Sequence, residues 1–280
     1  MPELPEVETI RRALIKDILG KKIKNIEVLS PKQFIGDKKK AIGQKIVDIK
    51  RTGKIMAIHL SGKLYLNIHL KMAGQLLYSD KNGQVTFTHK IPFVSGNSLP
   101  AKTTRIIIGF TDGSTLFFND LRKFGWIKVS DKPEKPTGTD VLAKDFTLQF
   151  VNSLVHNYLK PIKLLLMEQD KLAGIGNIYA SEALFYAGID PRRKAKSLSE
   201  SEAKKLYQSI LKVIDTGLKY NGSSAGDEAY VLPDASRGRY QDHMVVYHRE
   251  GEPCPNGCKG KVERTKQGGR STFFCPKCQK

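Results

Sequence analysis

Residues 1–20 read MPELPEVETIRRALIKDILG. From Val7 to Ile18, apolar residues recur at the spacing of one helix face. Pro5 suits the first turn of a helix, because the N–H that it lacks would have no helical partner there. The stretch therefore predicts an amphipathic helix over residues 5–19 and places the residues before it at the positive end of the helix dipole.

Pro2 lies directly ahead of this helix and would become the chain terminus if Met1 were removed. Its nitrogen would then be a secondary amine. Terminal amines have a pKa of about 7.7–8.0, so an appreciable fraction is unprotonated and nucleophilic near neutral pH. Such an amine forms a charged iminium with a sugar aldehyde carbon, and Glu3 and Glu6 would lie within reach as acids. The alternative is that Pro2 only resists degradation and that the acids begin the helix.

The bulk composition indicates a polyanionic partner. The 280 residues include 47 Lys and Arg against 28 Asp and Glu, a net charge of +19. This balance most often accompanies nucleic acid, although a solvated basic surface has the same composition. We find neither a signal peptide nor an apolar run near the roughly 18 residues of a membrane span, so we expect no membrane partner. The cysteines all lie between residues 254 and 278, which favours a reducing, cytoplasmic location.

Between residues 21 and 129 the pattern changes to short segments rich in Ile, Val, Phe and Leu, separated by turn signals such as Asn82-Gly83. This pattern predicts a β-sandwich and a first domain over residues 1–130. The polar stretch 79–103 is expected to be a loop. Examples of the predicted strands are 22–29, 44–50, 54–60, 64–70, 104–110, 115–119 and 125–129.

The rest of the chain predicts three further parts. Residues 131–140 have the Pro- and Gly-containing composition of a linker, and 141–240 predict a helical domain with a Gly- and Ser-rich loop at its end. Ser199 and Glu202 have the spacing of a capping box. Residues 245–280 predict a cysteine-bearing β-hairpin, so the chain as a whole is expected to be an α+β, multidomain protein. The predicted helices are 145–156, 161–168, 177–187 and 199–219.

The cysteines form two close pairs, Cys254-Pro-Asn-Gly-Cys258 and Cys275-Pro-Lys-Cys278. Two such pairs can place four thiolates around one Zn²⁺, and four soft ligands leave no open coordination position. The predicted zinc is therefore structural. Four unrelated free thiols would be the alternative, which is hard to reconcile with their clustering. Arg270 lies in the turn between the pairs, where a basic hairpin can clamp a nucleic acid.

A glycine-containing turn predicts a phosphate site. The segment 174–179, Gly-Ile-Gly-Asn-Ile-Tyr, joins two helices, and tight glycines before a helix present backbone N–H groups that suit a phosphate. Asn177 adds a side-chain donor, and Lys163 on the preceding helix is within reach. Ordinary helix packing also uses glycines, and a solvated lysine is the default alternative.

Two strand ends carry residues that suit an extruded nucleotide. Arg122 and Phe124 alternate after a predicted strand and would lie on one side if extended. A cation with an aromatic ring can fill the gap left by a flipped base. His69 and Met72 follow another strand, with Met72 as an apolar wedge. Core packing is the alternative for each, and nothing intrinsic marks Lys54, which opens a strand.

In their order along the chain, these motifs resemble the bacterial formamidopyrimidine-DNA glycosylase family. The resemblance covers nearly the whole chain, and the joint order of the motifs is highly specific. It implies a β-sandwich domain with an N-terminal helix, a helix–two-turns–helix domain and a C-terminal zinc-finger β-hairpin. The matching stretches are 2–9, 53–54, 69–74, 122–125, 174–179, 249–254 and 270–272.

The resemblance also implies an activity. The family removes oxidised purines, notably 8-oxoguanine and formamidopyrimidines, and then cleaves the abasic strand by β,δ-elimination through a Schiff base. Pro2 would attack C1′ of the damaged nucleoside, Glu3 would act as acid and base on the sugar, and Glu6 would support the site electrostatically. Lys54 would hold a phosphate and assist elimination, and Arg270 would complete the catalytic set.

The partner implied by the resemblance is double-stranded DNA with a damaged base. The loop 223–240, which closes over the flipped base in the family, here carries Asp227 and Glu228. One structural Zn²⁺, no small-molecule cofactor and a monomer are expected. The implied phosphate ligands are His69, Lys163, Asn177 and Arg270. The residues implied to fill the vacated space are Met72, Arg122 and Phe124. The implied zinc ligands are Cys254, Cys258, Cys275 and Cys278.

Two alternatives remain open at this point. The first is a sister enzyme that resembles endonuclease VIII and acts on oxidised pyrimidines by the same chemistry. The second is a zinc-ribbon DNA-binding protein without catalysis on the same scaffold. The intact Pro2, Glu3 and Lys54 disfavour the second alternative, and the spelling Arg-Lys-Phe-Gly at 122–125 favours the purine branch over the first.

Overall fold

The computed structural model describes residues 1–224 and 229–280, so Asp227 and Glu228 lie outside the described residues. The chain divides into two compact units. An N-terminal unit comprises Met1–Lys135 with Tyr220–Gln241, and a C-terminal unit comprises Pro136–Lys219 with Asp242–Lys280. The sequence-based boundaries grouped residues 220–240 with the helical domain, whereas their contacts group them with the N-terminal unit. Among the described residues, no helix is long and apolar enough to cross a membrane.

The N-terminal helix α1 runs over Leu4–Ile18, within one residue of the predicted bounds. Its apolar stripe is almost completely buried, since Leu14 and Ile18 have no exposed surface. Burial of one such side chain stabilises a fold by about 1.5–3 kcal/mol, so packing holds this helix in place. The predicted helix is confirmed.

Two sheets form the rest of the N-terminal core. Their strands are β1 (Ile23–Val28), β2 (Phe34–Ile35), β3 (Ile46–Thr52), β4 (Ile55–Leu60), β5 (Leu64–His69), β6 (Gly74–Ser79), β9 (Thr104–Phe110), β10 (Thr115–Asp120) and β11 (Trp126–Ser130). One sheet has the order β1-β9-β10-β6 and the other the order β2-β11-β5-β4-β3, with antiparallel pairing throughout except between β2 and β11. Ile58 and Ile68 of the second sheet and Phe110 of the first share one buried apolar cluster with α1, which is the core of the predicted sandwich.

The stretch 79–103 is not the polar surface loop that we expected. It contains two short paired strands, β7 (Val85–Thr86) and β8 (Ser98–Leu99). It also buries Ile91 and Leu99 in a second apolar cluster with Phe117 of β10. Successive side chains of a strand face opposite sides, so Phe117 supplies an apolar outer surface on which this stretch packs.

The C-terminal unit contains the predicted helices and the predicted hairpin. Ser199 and Glu202 form the predicted capping box: the backbone N–H of Ser199 donates to Glu202 Oε2 at 2.8 Å, and the N–H of Glu202 donates to Ser199 Oγ at 3.3 Å. The helices are α2 (Leu148–His156), α3 (Ile162–Leu166), α4 (Asn177–Ala187) and α5 (Glu200–Lys219), and the strands are β12 (Thr139–Asp140), β13 (Leu172–Ala173), β14 (Glu263–Gln267) and β15 (Arg270–Phe274). The α+β architecture predicted from the sequence is confirmed.

Candidate active site and nucleic-acid interface

The N-terminal approach to α1 is held by the carboxylate of Glu6. Pro2 is buried, and Glu3, the residue that caps the helix, is 2% exposed. The backbone N–H of Glu3 donates to Glu6 Oε2 at 2.8 Å, and the N–H of Ser223 donates to Glu6 Oε1 at 2.8 Å. One buried carboxylate therefore ties the helix start to the segment that follows α5.

This contact requires a glycine at position 222. Gly222 has a φ of +75°, and a Cβ built on it would lie 2.8 Å from the Glu6 side chain. A larger residue would strain the backbone and displace Glu6. The tie between the helix start and this segment thus explains why residues 220–241 pack with the N-terminal unit.

Glu8 anchors a cluster of three arginines. Its carboxylate accepts hydrogen bonds from Arg11 Nη2 at 2.8 Å, Arg12 Nε at 2.9 Å and Arg51 Nε at 3.1 Å. Burial raises the pKa of Glu8, but the hydrogen bonds from Arg11 and Arg12 and the charges of Arg11 and Arg51 outweigh burial and lower the pKa to about 2. Glu8 is therefore a carboxylate at any physiological pH.

The arginine cluster continues into the turn that presents Lys54. Arg51 also bonds to the carbonyl of Gly53, to which its Nη1 donates at 3.0 Å. Gly53 has a φ of +58°, which a residue with a side chain rarely adopts. The next residue, Lys54, is 6% exposed and precedes β4. Glu8 thus sets the geometry of the turn through Arg51.

The register of the five-stranded sheet brings His69 to the same edge as Lys54. His69 pairs with Ile55 of β4 on one side and with Trp126 of β11 on the other. Burial, reinforced by the positive charges of Lys71 and Lys54, lowers the pKa of His69 to about 3. His69 is therefore neutral at neutral pH.

The hydrogen bonding of His69 decides which nitrogen carries the proton. Nδ1 accepts the backbone N–H of Lys71 at 3.0 Å, so the proton of the neutral ring lies on Nε2. This Nε2–H group can donate a hydrogen bond to a phosphate from a neutral ring. It brings no charge to such a contact.

Asp120 organises the loop that carries the predicted wedge. It has no exposed surface, and its Oδ2 accepts the N–H of Gly125 at 2.7 Å and Gln33 Nε2 at 3.0 Å. Its Oδ1 accepts the N–H of Arg122 at 3.0 Å. Gln33 also donates to the carbonyl of Gly125 at 2.9 Å, so the loop 121–125 is fixed at both ends.

Within this loop Phe124 is 55% exposed, and the guanidinium of Arg122 lies 5.2 Å from its ring centroid. A cation beside the face of an aromatic ring is attracted to it, so Arg122 and Phe124 form one exposed cationic and aromatic surface. Asp120 of β10 pairs with Gly74 of β6, which places the turn before Gly74, with the half-buried Met72, beside the loop. The structure thus brings Arg122, Phe124 and Met72 together at one edge of the N-terminal unit.

In the C-terminal unit, Lys163 and Asn177 bond to the finger hairpin. Lys163 Nζ donates to Asn177 Oδ1 at 2.6 Å, to Thr272 Oγ1 at 2.7 Å and to the Ser271 carbonyl at 3.1 Å. Asn177 Nδ2 donates to the same carbonyl at 3.0 Å. Both residues, predicted to meet phosphates, use these side-chain groups on protein partners in this structure.

A second buried acid, Glu182 of α4, holds the approach to the finger. Its carboxylate accepts the backbone N–H groups of Val245, Val246 and Tyr247 at 2.8–3.0 Å. Glu182 has no exposed surface. It is the one charged residue in the sequence of α4, NIYASEALFYA, and this isolated charge in an apolar helix was the available sequence signal.

The four cysteines lie together as predicted. Their sulfur atoms are all within 4.8 Å of one another, with Cys254 and Cys278 at 3.6 Å and Cys258 and Cys275 at 3.6 Å. A tetrahedron with Zn–S bonds of about 2.3 Å has edges of about 3.8 Å, so these sulfurs fit one structural zinc ion. The exposed Arg270 begins β15 directly after the Gly268-Gly269 turn.

The family model described as "Formamidopyrimidine-DNA glycosylase N-terminal domain" matches residues 1–127, and "Formamidopyrimidine-DNA glycosylase H2TH domain" matches residues 137–228. The chain belongs to the formamidopyrimidine-DNA glycosylase family. It is a DNA glycosylase of base excision repair. The model "Zinc finger found in FPG and IleRS" matches residues 251–280, in agreement with the four-cysteine site.

Full-length similarity supports this assignment. The formamidopyrimidine-DNA glycosylase of Carboxydothermus hydrogenoformans is 39% identical, with all of both chains covered. The crystal structure of the MutM (FPG) protein from Thermus thermophilus is 35% identical, with a TM-score of 0.86 over 99% of this chain and 98% of that one. A complex of the Lactococcus lactis FPG mutant G226P with Fapy-dG-containing DNA is 31% identical, with a TM-score of 0.86 over the full length of both.

Sequence reasoning missed the residues that hold the predicted site residues in place. Glu8, Asp120 and Glu182 are acids with little or no exposed surface, and each fixes a segment that carries a candidate residue. A signal existed for Glu8, since Arg11 and Arg12 follow it at helical spacings of three and four residues. Nothing in the sequence connects Asp120 with Gln33.

Proposed function

We propose that this glycosylase removes oxidised purines, 8-oxoguanine and formamidopyrimidines, and then cleaves the abasic strand with Pro2 as the nucleophile. The observation that carries the proposal is the placement of Pro2 and Glu3 at the start of α1, where Glu6 bonds the Glu3 N–H. A structurally similar complex contains Fapy-dG DNA, which supports a purine lesion.

The chemistry starts once Met1 is removed and the Pro2 amine is free. The amine bonds to C1′ as the base leaves with the glycosidic electron pair and a proton. Opening of the sugar ring, with Glu3 as the acid, gives an iminium between Pro2 and C1′. The positive nitrogen acidifies the C2′ proton, whose loss expels the 3′ phosphate.

A second elimination expels the 5′ phosphate and leaves a one-nucleotide gap. Water then hydrolyses the iminium and regenerates the amine. In this proposal Lys54 holds a phosphate and assists elimination, and the hydrogen bond from Arg51 to the Gly53 carbonyl supports this role by fixing the turn before Lys54. Lys54 directly precedes Ile55, which pairs with His69, so Lys54 and His69 lie at the same edge of the sheet.

Base extrusion is assigned to the edge that carries Met72, Arg122 and Phe124. Flipping a nucleotide costs a few kcal/mol, which stacking by Phe124 and cationic contact by Arg122 offset. The net charge of +19 supplies the sequence-independent attraction to the backbone. His69 would donate its Nε2 proton to a phosphate, and Arg270 would contact another from the finger hairpin.

We assign three parts to this function: residues 1–130 as catalytic, 141–240 as DNA-binding with the loop 223–240 over the base, and 245–280 as the zinc finger. One lesion requires no two-fold symmetry, so the active species is a monomer. The four thiolates of the finger suit the reducing bacterial cytoplasm.

Borohydride trapping tests the proposal. Wild-type protein, freed of Met1, is mixed with a duplex that contains one abasic site and reduced, and the adduct is digested for mass spectrometry. We expect the adduct on the N-terminal peptide, at Pro2. A variant with an N-terminal extension ahead of Pro2 should bind the duplex and fail to trap. An adduct on Lys54, or none in the wild type, would refute the role of Pro2.

Competition between lesions tests the substrate class. Single-turnover rates on duplexes with 8-oxoguanine opposite cytosine and with thymine glycol should favour 8-oxoguanine. A preference for thymine glycol would assign the chain the specificity that resembles endonuclease VIII. DNA binding without base release on either duplex would instead indicate a binding protein.

A further inference from the structure

Lys163 lies in an unusual environment for a phosphate ligand. It has no exposed surface and is one of the largest fully buried side chains among the described residues. Its ammonium has three donor hydrogens, and three oxygen acceptors lie at 2.6–3.1 Å from it: Asn177 Oδ1, Thr272 Oγ1 and the Ser271 carbonyl. A buried ammonium is stable in a protein only when it is hydrogen-bonded in this way.

Two of these acceptors belong to the residues that follow Arg270 in β15. The Ser271 carbonyl is held twice, by Lys163 Nζ and by Asn177 Nδ2 at 3.0 Å, and Ser271 Oγ accepts from Arg264 Nε at 3.0 Å. The start of β15 is thus fixed from the helical part on one side and from the paired strand β14 on the other.

The turn of the same hairpin also abuts α3. A Cβ built on Gly268 would lie 3.0 Å from Leu164 Cδ2, and Leu164 is the neighbour of Lys163. Gly268 has a φ of +53°, so the close approach and the backbone both favour glycine there. The hairpin is therefore held at two places, by the apolar contact of Gly268 with Leu164 and by the hydrogen bonds of Lys163 to Ser271 and Thr272.

We propose that Lys163 is a positioning residue, which sets the location of Arg270 by bonding Ser271 and Thr272, and that it does not itself contact DNA. The four cysteines would hold the far end of the finger around a structural zinc ion, and Lys163 holds the end that carries Arg270. The Asn177 side chain shares this role through the Ser271 carbonyl.

This inference rests on the proposed function, because Arg270 is a DNA ligand only under that proposal. A double-mutant cycle of Lys163→Met and Arg270→Ala tests it. Single-turnover strand cleavage at saturating DNA and the salt dependence of DNA affinity are measured for each variant. Zinc content and melting temperature show that each variant is folded, and Lys204→Met, which removes an exposed lysine of α5, controls for loss of charge.

We expect Lys163→Met to slow cleavage about 100-fold, as a misplaced contact does, with one zinc retained. In the Arg270→Ala background the same substitution should change the rate by less than about twofold, because a misplaced Arg270 and an absent one are equivalent. The salt slope, which is the slope of log DNA affinity against log salt concentration, should also be the same for Arg270→Ala with and without the Lys163 replacement.

If the rate loss of the double variant equals the product of the losses of Lys163→Met and Arg270→Ala, the inference is overturned. A further fall of about 0.9 in the salt slope on replacing Lys163 in the Arg270→Ala background would also overturn it, because that is the signature of a separate phosphate contact. Wild-type trapping on abasic DNA separates the two proposals. If the wild type traps and the cycle is multiplicative, the role of Lys163 fails alone. If the wild type does not trap, the proposed function fails.

Discussion

Replacement of Glu8 with Gln should destabilise the N-terminal unit by about 3 kcal/mol at pH 7. The pKa of Glu8 falls from an ordinary 4.5 to about 2 on folding, and each pKa unit corresponds to about 1.4 kcal/mol. Burial opposes this shift, and the hydrogen bonds from Arg11 and Arg12 and the charge of Arg51 produce it. Glutamine keeps the size of the side chain and removes the charge.

The effect should depend on pH with a definite sign. The folded pKa lies below the unfolded one, so the stabilisation is fully present above pH 4.5 and is lost as the pH falls through about 2. At pH 3 about 1.4 kcal/mol of it should remain, since the unfolded carboxyl is then almost fully protonated. The difference between wild type and Glu8→Gln should therefore shrink by about 60% between pH 7 and pH 3.

Urea unfolding followed by tryptophan fluorescence measures this difference. Trp126 is the one tryptophan of the chain and begins β11 in the N-terminal unit, so its signal reports that unit. Glu27→Gln, at an exposed position of β1, is the matched control and should change stability by less than about 0.5 kcal/mol. A loss below about 1 kcal/mol at pH 7, or an equal loss at both pH values, would refute the assignment of Glu8 as the anchor of the cluster.

Three further substitutions or treatments test other parts of the molecule. Asp120→Asn should slow base removal about tenfold in single-turnover assays, because one of the two carboxylate oxygens that accept hydrogen bonds from the loop 121–125 becomes an NH₂ donor. An unchanged rate would show that base removal does not depend on these hydrogen bonds. Glu182→Gln should lower the stability of the C-terminal unit by about 1–3 kcal/mol in calorimetry, since an amide nitrogen would face backbone N–H groups, and an unchanged melting temperature would contradict this. Chelation of zinc should release about one ion per chain and abolish binding to a duplex that contains an abasic site, while Trp126 fluorescence still reports a folded N-terminal unit. Binding that survives the loss of the metal would count against the finger as a DNA contact.

Local elements followed from the sequence because their signals are local. The helix α1 was predicted within one residue of its bounds, because the helical spacing of its apolar residues and the position of Pro5 in its first turn are both visible in the sequence. The capping box at Ser199 and the two cysteine pairs were likewise readable from spacing alone.

The stretch 79–103 was less predictable. Its apolar residues are sparse and have no helical or strand period, so composition alone indicated a polar loop. Their burial depends on the outer face of the sheet at Leu77 and Phe117, which exists only once β6 and β10 pair.

The family resemblance, the α+β architecture, the zinc site and the candidate chemistry at Pro2 could all be predicted from the sequence, because each depends on residue type and short spacing. The contacts of those candidate residues depend on tertiary packing and could not be predicted. Glu8 meets Arg51 across 43 positions of sequence, and Lys163 meets Thr272 across 109. A lysine reads the same in a sequence whether its ammonium faces solvent or is buried, because burial is set by what the rest of the chain packs against it.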